Sequence, residues 1–142
     1  MLSAILSQLN YLSVLAAAVA AWIFGALWYT ALSRPWMAAQ GWRGKDDMPR
    51  RTGAAAAAPF VISFVAELIM ATMLFGIIHH IGEVTVERAL FSAVMIWIGF
   101  VATTILVNNA YPGRRLLLTV IDAGHWLGVL LLMGVVIGLL GS

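Results

Sequence analysis

Cysteine is absent from the 142 residues, which excludes disulfide frameworks, thiolate zinc sites and thiol chemistry. Charge is nearly as scarce: Asp, Glu, Lys and Arg make up 10% of the chain, against about 25% in an ordinary soluble domain. The sequence also lacks GxGxxG, a Walker loop, HExxH and GxSxG, which removes the common motif routes to an enzyme. No cofactor is called for. No stretch alternates apolar and polar residues with the period of two that a membrane barrel strand requires.

What remains is apolar. Hydrophobic residues form 63% of the chain and the mean hydropathy is +0.98. A water-soluble chain this short has too little interior to hide such a surface, so the class is an all-α integral membrane protein of one domain, residues 1–142. A spanning helix needs about 20 mainly apolar residues, and four segments qualify: about 9–33, 57–81, 87–109 and 114–140. The stretch "YLSVLAAAVAAW" has the look of a signal-peptide core. No Lys or Arg precedes it, however, and the apolar run continues too far, so it reads as a retained helix. Pro59 suits the first turn of the second span, and Pro112-Gly113 the centre of a tight turn between the third and fourth. A connection that short makes those helices antiparallel neighbours in a four-helix bundle.

The basic residues are one-sided. Arg34, Arg43, Lys45, Arg50 and Arg51 lie in the loop 34–56, and Arg114 and Arg115 in the third connection; only Arg88 falls on the opposite side. The positive-inside rule then places both loops in the cytoplasm and both chain ends outside, in a bacterial inner membrane. The basic balance, with a pI of 9.5, therefore reflects orientation or anionic lipid rather than nucleic acid. Trp36 and Trp42 at the start of the loop suggest a short interfacial helix with indoles at headgroup depth.

Three stretches carry a family resemblance: "FGALWYTALSRPWM" (24–37), "GFVATTILVN" (99–108) and "LLLTVIDAGHWLGVLLLMGVVIGLL" (116–140). With them the chain resembles the bacterial domain-of-unknown-function family 1761, small four-helix membrane proteins, over nearly all its length except about 43–53. The family pattern has Ser-Pro where this chain has Thr30-Ala31, and often Tyr where it has His125. The resemblance implies the fold and supplies no activity.

Polar groups inside the spans are the functional candidates. Counting from the cytoplasmic ends at about 1.5 Å per residue, Asp122 lies about 12 Å and Glu67 about 15 Å deep, with Gly25 and Gly99 at about the same depth. Two unpaired carboxylates are untenable in hydrocarbon, so they are either protonated or turned toward donors or a wet cavity. His125, three residues from Asp122, is the local donor; Tyr29, Thr103, Thr104, Asn108, Trp97 and Trp126 are further ones. Arg114 or Arg115 could instead pair with Asp122. The pattern fits a proton-accepting or small-ligand site between helices, or polar fastening of the bundle.

The fourth span has a glycine side. Gly124, Gly128, Gly134, Gly138 and Gly141 fall within about 140° of arc, turned from Asp122 and His125. Such a face packs against the alanine-rich first span or forms a homodimer seam. His79-His80 with Glu83 reads as an interfacial pair rather than a metal site, because adjacent residues rarely converge on one ion. Asp46-Asp47 reads as a solvated turn, and His125 finds no second in-membrane histidine for axial haem ligation.

Overall fold

The computed structural model of the chain describes residues 7–141, and every regular element in it is helical. Four helices are long and apolar enough to cross a membrane: α1 (Tyr11–Ala31), α3 (Ala54–Ile81), α4 (Val86–Ala110) and α5 (Leu116–Leu140). Between the first two lie a short helix, α2 (Ser33–Ala39), and a single 3-10 turn at Lys45–Asp47.

Local chemistry explains the ends. The Asn10 side chain accepts from the Ser13 amide and caps α1, and Thr85 does the same for α4 through the Arg88 amide. Helix α3 starts earlier than expected. Five alanines, Ala54 to Ala58, are strong helix formers and extend the helix upstream of Pro59, which therefore sits beyond the first turn. Gly113 takes φ +67 in the turn after α4, a conformation glycine adopts without strain. Within α4 the backbone widens to a π-helix over Trp97–Ala102, a local feature often found at functional positions.

Helix α5 is the hub. It packs most extensively along α1 and α4, and α1 in turn packs on α3. The contacts run the whole length: the Asn10 amide donates to the Leu140 carbonyl at 2.8 Å near one end, while Tyr29 meets Asp122 toward the other. Trp22 ties α1 to α3 by donating to the Phe60 carbonyl and the Ser63 hydroxyl.

Small residues set the spacing. Ala17, Ala18, Ala21, Ala71, Ala89 and Ala93 are fully buried at the crossings, where lack of bulk lets backbones approach. The opposite surfaces carry exposed Leu27, Phe60, Ile62, Phe91, Phe100 and Leu139, a pattern suited to lipid rather than water.

The glycine side of α5 is divided between two neighbours of the same chain. A Cβ at Gly124 would meet the Trp28 ring and one at Gly128 the Phe24 ring, both on α1. At Gly138 it would lie 2.5 Å from the Val86 Cα, and at Gly134 3.2 Å from the Ala89 carbonyl oxygen, both on α4. Gly141 lies against Val84 and Phe75. On α1 it is the rings of Trp28 and Phe24, not the alanines, that cover Gly124 and Gly128, because a missing Cβ makes room for a large neighbour as well as a close one. Gly25 meets His125, whereas Gly99 is exposed with nothing near its Cβ position and packs no helix.

Candidate functional site

Asp122 lies one and a half turns into α5, half-buried. Its Oδ1 accepts from the Tyr29 hydroxyl at 2.8 Å and from the Trp36 indole N–H at 3.3 Å. Both donors are neutral, both address the same oxygen, and Oδ2 accepts no hydrogen bond from the described residues. Tyr29 and Trp36 are seven residues apart, close to two helical turns, and the hydrogen bonds from the Leu32 amide to Trp28 and from the Trp36 amide to Leu32 carry the chain from α1 into α2, so both reach the same point.

No cation answers the acid. Among the described residues the one ion pair is Arg43 with Asp47, within the loop. Arg115 turns away from Asp122 and donates to the Ala38 carbonyl at 2.8 Å, tying α2 to the start of α5. The expected Arg–Asp122 pairing is therefore replaced by two neutral donors.

His125 is not the donor to Asp122 either. Its imidazole is buried in a slot that Gly25 leaves open, with a Gly25 Cβ position only 2.9 Å from Nε2. The ring centroid lies 4.9 Å from Tyr29 and 4.8 Å from Trp126, and Phe24 stacks on it at 6.2 Å. Its Nδ1 has no hydrogen-bond partner. Tyr29 thus joins the two residues, its hydroxyl on the acid and its ring on the imidazole.

Glu67 stands apart. It is 2% exposed, its Oε2 has no partner, and no hydrogen bond or ion pair links it to Asp122 or His125. The helix register explains the separation. Ser63 is level with Trp22, and Phe75 reaches Gly141 at the Asn10 end, so Glu67 lies beyond Trp22 in that direction. Asp122 lies at Tyr29, on the other side of Trp22 by about 10 Å. Counting depth from helix ends put both carboxyls in one layer; the earlier start of α3 and the offset of α5 undo that equivalence.

Thr103, Thr104 and Asn108 are exposed on α4 and do not join Asp122. The threonine hydroxyls bond back to the Gly99 and Phe100 carbonyls of their own helix. With Val107 these three residues line an open cleft, and a second cleft of about 260 Å³ runs past Met70, Phe100, Val101 and Trp126; neither is lined by Asp122, Glu67 or His125. Trp97 donates to the Ala123 carbonyl at 2.8 Å and Trp28 to that of Ile121 at 3.2 Å, fastening α4 and α1 to the backbone beside Asp122.

Two contacts escape a reading of the sequence. Trp36 was expected at headgroup depth, yet its N–H points to the acid; the seven-residue spacing from Tyr29 was the available signal. The Asn109 amide donates to Thr119 across the short turn, and nothing in the sequence separates Asn109 from Asn108 beforehand. His79, in the expected interfacial pair, stacks on Phe75.

The family model described as "Protein of unknown function (DUF1761)" matches residues 12–138. The chain belongs to the DUF1761 family. The matched segment takes in all four long helices of this DUF1761 protein but for Tyr11, Leu139 and Leu140 at the outermost ends, and every residue around Asp122. Neither a curated protein nor a solved structure matches it.

Proposed function

We propose that this DUF1761 protein is an antiparallel four-helix protein of the bacterial inner membrane, with both ends outside and its basic loops in the cytoplasm. In that frame Asp122 is a protonatable intramembrane site near the cytoplasmic face, used for small-ligand binding or proton-linked transport. One observation carries the reading: a half-buried carboxyl held through one oxygen by two neutral donors, with no cation and no donor to its other oxygen among the described residues. An acid whose charge is cancelled by no fixed partner can exchange a proton or a cation, and acids inside spans often mark such pathways. Tyr29 and Trp36 hold the carboxyl, and His125 stands behind Tyr29 as a second titratable group. Glu67 belongs to a separate, drier position.

Proton uptake by the purified chain in lipid nanodiscs, in weak buffer, tests this. The expected result is an uptake step lost in Asp122→Asn and kept in Glu67→Gln, both variants remaining folded. Identical uptake in the wild type and Asp122→Asn would defeat the reading.

The convergence of α1, α2 and α5 on one oxygen favours a second reading, in which Asp122 only fastens helices. Under it, Asp122→Asn lowers stability and changes no proton signal.

A further inference from the structure

The free oxygen of Asp122 has a setting that selects among ligands. Tyr29 and Trp36 touch the carboxyl through their polar edges. Their rings meet edge to face at 5.9 Å, and Trp42 packs on Trp36 in the same manner at 5.5 Å. On the inner side the series continues through His125 to Trp126. Aromatic rings therefore run without a break from the loop residue Trp42, past the acid, into the helix core.

An anion would face the carboxylate. A hard metal ion takes six or more oxygen ligands, whereas here one carboxyl is surrounded by a phenol and an indole that already donate to it. A neutral apolar molecule would leave Oδ2 without a partner. An organic cation satisfies both features, placing positive charge at Oδ2 and its body against ring faces, whose quadrupoles attract cations. Among the described residues no cation pairs with Asp122, and Arg115 is engaged by the Ala38 carbonyl.

The geometry points to Asp122, with the rings of Tyr29, Trp36 and Trp42, as a binding site for a monovalent organic cation of alkyl or aromatic body, an inference that rests on the reading of Asp122 as an exchangeable site. Trp42 and Trp36 form the entrance side, and Asp122 supplies the counter-charge. Because the rings are half-buried rather than sealed, the site is reachable without opening the helix core.

Tetraphenylphosphonium binding to the full chain in nanodiscs, followed by calorimetry and tryptophan fluorescence, tests the assignment, with triphenylphosphine oxide as the neutral control. Saturable binding of the cation alone is expected, weakened roughly tenfold or more by Asp122→Asn and by Trp36→Ala. Trp36→Phe, which keeps a ring and loses the N–H, should retain affinity within about threefold, guarding against a variant that merely fails to fold. Equal binding of the neutral control, or cation binding indifferent to Asp122→Asn, overturns the proposal. A protein that takes up a proton at Asp122 but binds no cation overturns it as well, while leaving the exchange reading intact; loss of both signals removes both.

Discussion

The Tyr29 hydroxyl and the Asp122 carboxyl, 93 residues apart in sequence, meet at 2.8 Å between the first and last membrane-spanning helices. The same Tyr29 ring rests 4.9 Å from His125 one turn further on. One side chain therefore touches both Asp122 and His125, and Tyr29→Phe separates its two contributions. The ring remains while the hydrogen bond goes, so stability should fall by about 0.6–2 kcal/mol, the range for polar contacts between spanning helices. Unfolding by detergent titration measures it, and an unchanged midpoint would show that the bond carries no weight.

Gly25 is expected to tolerate no side chain. In Gly25→Ala the new methyl would sit 2.9 Å from the imidazole and push it out of its slot, at a cost of about 1–3 kcal/mol. The double variant Gly25→Ala/His125→Ala should recover part of that loss, a non-additivity that a double-mutant cycle reads directly. Additive losses would show that the two residues do not interact.

Gly138→Ala drives a Cβ into the Val86 backbone, which cannot swing aside, and should separate α4 from α5. Gly76→Ala, where the position is open, should be neutral or stabilise by up to about 1 kcal/mol through helix propensity. Melting curves of the two variants should therefore move apart; parallel losses would contradict the packing.

Glu67 offers the reverse case. A buried carboxyl without a partner carries a desolvation penalty of about 1–3 kcal/mol, so Glu67→Met, similar in length and apolar, should raise stability. A marked loss instead would reveal a partner for the carboxyl, such as a bound water or ion.

The four long apolar helices and the presence of Asp122 and Glu67 within them were legible because each depends only on composition along the chain. The pairing partners were not. Hydrophobic residues run all around these helices, so no amphipathic face announces which side meets a neighbour. His125 was the natural donor to Asp122 by spacing on one helix, yet Gly25 opens a slot for the imidazole on α1 while Tyr29 reaches the acid. Thr103 and Thr104 show the same limit: a hydroxyl that bonds back to its own helix looks identical in sequence to one that reaches across.

By itself the sequence determined that this is a chain for a membrane, since so much apolar surface in 142 residues admits no soluble fold and the polar groups within it must find partners or stay neutral. Only the tertiary structure decided which partners. It placed Tyr29 and Trp36 on Asp122, left Glu67 alone and divided the α5 glycines between two neighbours, because those outcomes depend on the register between helices distant in sequence. That register is set by where Ala, Gly and aromatic residues of different helices fit together.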